Sequence, residues 1–193
     1  MENEEIIDAA KKAFRTIPDH ERVSDGAVNY MTRDLYVFLC AAWDVPVWVS
    51  GDIGNEEFLS YFVTGNGGSF VRGVESARIV SRDGNSSKVE LIYSQVWNPG
   101  DTEATMSKIL VTMVKERGKW LLDNFGNDTK GQCRWYISTE VSDYLSGKTL
   151  RHMKENQRGE WYTDRYISTI AEKFDAYISK YRNFLDEKLG IRV

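Results

Sequence analysis

Residues 86–126, SSKVELIYSQVWNPGDTEATMSKILVTMVKERGKWLLDNFG, read as three consecutive antiparallel strands, and this stretch decides the fold. Val89, Leu91, Tyr93, Gln95 and Trp97 alternate with Lys88, Glu90, Ile92, Ser94 and Val96 in a run rich in β-branched and aromatic residues. That is the period-two pattern of a strand. Asn98-Pro99-Gly100-Asp101 supplies a turn, because Pro99 fixes φ and Gly100 tolerates a positive one. Alternation resumes from residue 106 to 114, and a second turn at Arg117-Gly118 leads into Trp120-Leu121-Leu122-Asp123-Asn124-Phe125.

A register follows by counting. If Asn98 pairs with Glu103 and Glu116 with Lys119, side chains of one parity share a face. One face then carries Val89, Leu91, Tyr93, Gln95 and Trp97 beside Met106, Lys108, Leu110, Thr112 and Val114, and beside Leu121, Asp123 and Phe125. The other carries Glu90, Ile92, Ser94 and Val96 beside Ile109, Val111 and Met113, and beside Trp120, Leu122 and Asn124. Both faces are substantially apolar, so cover on both sides, at least in part, is expected. Glu90 and Asp123 fall on opposite faces and so do not form a carboxylate pair, unless a bulge intervenes.

The flanking sequence supplies helices. Ile6, Ala10, Ala13, Phe14 and Ile17 share one face of a first helix, with Glu4, Glu5 and Asp8 near the positive end of its dipole. A second helix is expected from Ser24 or Asp25, burying Val28, Met31, Leu35, Phe38, Leu39 and Ala42, and stopping before Pro46. A short third helix follows Asn55, and residues 65–69 read as a loop before a first strand at residues 77–82. Beyond Gly126 the chain turns polar. A short helix over residues 138–145 and a solvated basic loop with Lys148, Arg151, Lys154 and Arg158 lead to a long helix, capped by Thr163 or Asp164 and stopped by Gly190. Its apolar stripe predicts that it packs back across the domain. The organisation is therefore an α+β domain at 1–126, a curved antiparallel sheet wrapped on N-terminal helices, with a C-terminal helical extension at 127–193.

Composition removes whole classes of function. The 193 residues carry a net charge of −4, which gives no nucleic-acid footprint. No apolar run approaches the roughly 20 residues of a membrane span. The acidic N-terminus lacks the pattern of a signal peptide, so the chain reads as cytoplasmic, or as secreted or periplasmic if a leader has been removed. His20 and His152 have no ligand-spaced neighbours, so no metal and no cofactor are expected. Cys40 and Cys133 sit in contrasting settings that argue against a disulfide.

Two groups of residues remain as candidates. Tyr93, Gln95, Lys108, Thr112 and Asp123 are polar positions on the first sheet face and form a candidate pocket, with Asp123 as a base or Tyr93 as a donor. The aromatic pairs Trp135-Tyr136 and Trp161-Tyr162 lie in otherwise polar segments. They form a candidate interaction surface, with anchoring of the last helix as the expected structural role.

The element order, together with the terminal Lys-Glu-Arg-Gly-Lys-Trp-Leu-Leu-Asp-Asn-Phe hairpin, resembles the NTF2-like (cystatin-like cone) superfamily over roughly residues 2–126, and uncharacterised bacterial domains within it. The resemblance implies a sheet curled around helices into a cone. Members of that superfamily use the cone as an enzyme or carrier pocket, or serve as interaction modules. The expectation taken forward is a non-enzymatic module recognising a protein partner. The alternative is a carrier or enzyme whose cone pocket takes a small, largely apolar molecule. The long amphipathic helix and both sheet faces each offer a dimer surface, which leaves the oligomeric state open.

Overall fold

The computed structural model describes residues 2–18, 21–46, 69–157 and 162–193. The helix expected after Asn55, most of the glycine-rich segment, His20, Arg158 and Trp161 lie outside the described residues. Four strands, β1 (Phe70–Asp83), β2 (Ser86–Val96), β3 (Thr105–Glu116) and β4 (Lys119–Phe125), form one curved antiparallel sheet in chain order. Around it lie α1 (Glu2–Phe14), a 3-10 turn (Asp25–Asn29), α2 (Arg33–Asp44), α3 (Thr129–Leu145), α4 (Lys148–Glu155) and α5 (Asp164–Leu189). The α+β class, with a curved sheet on N-terminal helices and a helical segment after it, is as the sequence predicts.

The inner face of the sheet is filled by α1, which touches all four strands. Ile6, Ala10, Ala13 and Phe14 repeat at helical spacing and are buried against it, and each large side chain removed from water contributes about 1.5–3 kcal/mol. Polar contacts fix the angle of the helix. Glu2 accepts from Arg82 at 2.7 Å and Lys115 at 3.1 Å, and both cations lie over the ring of Trp120, within 5.8 and 5.7 Å of its centroid.

The β2–β3 register differs from the expected one by a single residue. Leu91 faces Ile109 and Val89 faces Val111. Because side chains alternate, that slip exchanges the faces of β3. Ile109, Val111 and Met113 join Val89, Leu91 and Tyr93 in the core, while Lys108, Leu110 and Thr112 turn outward. Burial decides between the registers: the observed one places three aliphatic side chains under α1 and leaves the Lys108 ammonium in water. A bulge between Leu122 and Asn124 then brings Phe125 back to the inner face, opposite Val111. The β3–β4 turn itself is as expected, with Arg117 and Gly118 both at positive φ, 50° and 80°, the geometry of a tight two-residue hairpin.

Cover of the outer face is partial: Ser94 and Val96 are buried there, while Met106 is 54% and Leu110 36% exposed. Glu90 sits on that face, paired with Arg78 at 2.8 Å, well apart from Asp123 in the bulge.

Four element boundaries also move. Thr32 caps α2 by accepting from the Leu35 N–H at 3.2 Å, so the helix begins at Arg33 and Val28 is exposed rather than buried. The first strand begins at Phe70, with three bulges absorbing its irregular pattern. Helix α3 starts at Thr129, inside the segment read as a polar connection, because Asp128 caps it through the Gly131 N–H at 3.1 Å. The basic segment is helical as α4, burying Thr149 and Met153 one turn apart. The last helix, 26 residues and about 40 Å at 1.5 Å per residue, lies against the domain through Ile167, Ile170, Phe174, Tyr177, Ile178, Tyr181 and Leu185.

The register is directly testable. Ile109→Lys is expected to destabilise by on the order of 3–5 kcal/mol, since it buries an uncompensated charge. Leu110→Lys is expected to stay within about 0.5 kcal/mol. Urea denaturation of both variants checks this, and the opposite order would return β3 to the register predicted by counting.

Candidate functional site

The five polar positions of the candidate pocket are not brought together. Tyr93 is buried in the core, its ring 5.5 Å from that of Phe14. Gln95 lies at the far end of the same face and donates to Ser107 Oγ at 3.0 Å. Lys108 and Thr112 are on the outer face, opposite Ile92 and Lys88. Asp123 occupies the β4 bulge and has both oxygens engaged, Oδ1 by the Thr32 hydroxyl at 3.0 Å and Oδ2 by Lys130 at 2.8 Å. The slip and the bulge account for the scatter, because the candidate set assumed a shared parity that three strands do not keep.

The aromatic pairs separate as well. Helix α3 buries Cys133, Ile137 and Val141, and at 100° per residue position 135 points away from that stripe. Trp135 is accordingly 70% exposed and does not anchor the last helix. Tyr136 packs against the core instead, where burial pushes its phenol above the ordinary range. Tyr162 also packs on the core, 6.2 Å from Tyr166, while Trp161 falls outside the described residues.

A different site emerges between α2 and the C-terminal half of α5. Lys180 and Tyr181 bind Asp44, each at 2.6 Å, and Lys188 binds Asp34 at 2.8 Å. Since Asp44 ends α2 and Asp34 begins it, the two helices run antiparallel. The buried Tyr177 hydroxyl donates to the Ala41 carbonyl at 3.0 Å, occupying one of the carbonyls that a helix end leaves unpaired. Between these ties lies a groove of about 710 Å³, walled by Arg33, Asp34 and Val37 on one side. Lys180, Arg182, Phe184 and Glu187 stand on the other side.

The electrostatics are those of two clasps. Asp44 sits at the negative end of the α2 dipole, an unfavourable place for a carboxylate. Burial also opposes its ionisation, yet hydrogen bonds from Arg22, Lys180 and Tyr181 outweigh both and hold its carboxyl below the usual value. Asp34 behaves alike: burial is outweighed by Lys188 and Lys130. Lys130 also bonds Asp123, so an ionic chain runs from β4 through α3 and α2 to α5.

Neither cysteine is set up as a nucleophile. Cys40 and Cys133 are free, buried thiols; burial pushes both up, Cys133 to about 12, opposite to the shift that activates a thiolate. Among the described residues no three His, Cys, Asp or Glu side chains are grouped to hold a metal ion, and no helix is long and apolar enough to cross a membrane.

The clasp residues escaped a reading based on motifs, since none of them forms one. The available signal was Asp44 itself, an acid at the end of an apolar helix, which calls for cations from elsewhere in the chain. Comparison with protein-family models, curated proteins and solved structures finds no match to the chain.

Both clasp carboxylates ionise more readily when folded than their ordinary value of 3.8. They contribute stability that is fully present above that value and lost as pH falls through their depressed ones. Unfolding midpoints are therefore expected to fall as pH drops below about 4. Asp44→Asn should lower stability at neutral pH by about 1–3 kcal/mol and flatten the profile in denaturant titrations across that range. An unchanged slope would mean that Asp44 carries no linked proton.

Proposed function

We propose that the chain is a non-enzymatic binding module that recognises a protein partner. The observation that carries the reading is Trp135, a tryptophan on a well-packed helix that keeps 70% of its surface in water. An indole in that state withholds a large apolar area from the core, and tryptophan is among the residues most enriched at binding hot spots. Trp97, 60% exposed, gives a second such surface at the end of β2.

The packing of the inner face favours this reading over a cone pocket. Phe14 packs against Tyr93 inside the sheet, and the carboxylate that would serve as a base there is tied to Thr32 and Lys130. The NTF2-like superfamily, which the sequence resembles, includes interaction modules. Fold likeness alone assigns no function, so the weight rests on the exposed indole.

The test places a benzophenone side chain at position 135 and irradiates the protein in extract from cells that make the chain. One discrete adduct is expected, suppressed by excess unlabelled protein but not by excess Trp135→Ala. That variant should keep its stability within about 0.5 kcal/mol, since Trp135 supports little of the core. Absence of an adduct that the wild type suppresses would remove the protein-partner reading.

A further inference from the structure

We infer that the groove between α2 and α5 docks a short acidic segment of the partner protein, with carboxylates spaced around an apolar side chain. The inference rests on the reading of the chain as a protein-binding module and adds the location and the chemistry of recognition.

Charge is the first argument. The chain as a whole carries −4, yet the groove is lined by four basic side chains, Arg33, Lys180, Arg182 and Lys188, against two acidic ones, Asp34 and Glu187. A net-positive channel on a net-negative protein attracts negative segments.

The second argument is which cations are free. Lys188 is held by Asp34 and Lys180 by Asp44, so their charges are largely spent. Arg33, at the start of α2, and Arg182, on α5, are exposed and have no hydrogen-bond or ion-pair partner among the described residues. Each presents a guanidinium fork matched to a carboxylate. Arg33 adjoins Asp34, whose partner is Lys188, and position 182 lies six residues before 188 on α5. The two forks are therefore about 9 Å apart along the groove by helical rise, which suits carboxylates about three residues apart in an extended chain.

Shape supplies the third. Val37 and the partly buried Phe184 give the two walls of the channel apolar surface, and a volume of about 710 Å³ is within the range that holds a few side chains. A continuous phosphate backbone fits less well, because the Asp34 and Glu187 carboxylates stand on the same walls and would face every passing phosphate. An intermittently charged peptide can place neutral residues there.

The test uses the full chain and a fluorescein-labelled nonapeptide with glutamate at every third position and leucine and serine between. Fluorescence anisotropy is expected to show saturable, salt-sensitive binding that a lysine-for-glutamate version of the peptide lacks. Arg33→Glu combined with Arg182→Glu should weaken binding about tenfold or more without moving the urea midpoint, since neither arginine has a partner to lose among the described residues. No binding, equal binding by the double variant, or tighter binding of oligothymidylate than of the peptide would each overturn the inference. Photo-crosslinkers at positions 183 and 135 separate this failure from failure of the broader reading. Adducts with one and the same protein at both positions support the groove. An adduct at 135 alone overturns the groove and leaves the module standing, and adducts at neither position overturn both.

Discussion

Two backbone hydrogen bonds at the free edge of β4 fix where almost everything else must go. The Leu122 N–H donates to the Tyr30 carbonyl at 3.0 Å, and the Thr32 N–H donates to the Leu122 carbonyl at 2.8 Å. Met31 is thereby held beside Leu122 as a short parallel bridge, and the edge of the sheet is covered instead of offering a template for a further strand. Thr32 does more than pair. Its hydroxyl accepts from Leu35 N–H to start α2 and donates to Asp123, so strand edge, helix start and β4 bulge meet at one buried side chain. Once α2 is set there, its two ends determine where α5 can lie.

The last helix illustrates how burial and charge divide the work. Its apolar stripe provides the driving force, since a helix of this kind is held mainly by packing of its amphipathic face. Stacking of Tyr144 on Phe174 at 4.4 Å and the edge contact of Phe38 with Phe184 at 5.0 Å show how closely that stripe is engaged. Apolar contact alone leaves sliding and rotation weakly resisted, because neighbouring aromatic rings can exchange partners. The clasps at Asp34 and Asp44 remove that freedom, being directional and lying at opposite ends of α2. Arg134 adds a third constraint by donating to the Lys188 carbonyl while its guanidinium lies over Phe38.

The sequence was legible where a pattern is local and illegible where it depends on distance. Alternation in β2, β3 and β4, the apolar faces of α1 and α5, and the stop at Gly190 each follow from residues within a turn or two. Register does not, because a single residue in the connection between Val96 and Thr105 exchanges every face beyond it. The assembled candidate pocket failed on that ground while each of its strands was correctly placed. Helix α3 is longer than its sequence pattern for a related reason: Asp128 takes φ of 60° to cap it, a conformation that the polar composition of the segment does not announce. The clasps were out of reach altogether, since Asp44 and Lys180 are 136 positions apart and neither belongs to a recognisable motif.

That a groove persists between α2 and α5 follows from the side chains that join the helices. Close helix packing needs small or interdigitating residues over an axial separation of about 8–10 Å. Here the contacts run through Tyr177, Tyr181 and Phe184, large rings standing between the two backbones. Ser179 and Asn183, which alternate with them along the wall, are too short to fill the intervals. Nor can the walls collapse, because closing the gap would bury the Arg33 and Arg182 guanidinium groups without partners, a penalty of several kcal/mol per ion. The rings and clasps that fasten the last helix are therefore the same features that keep the channel beside it open.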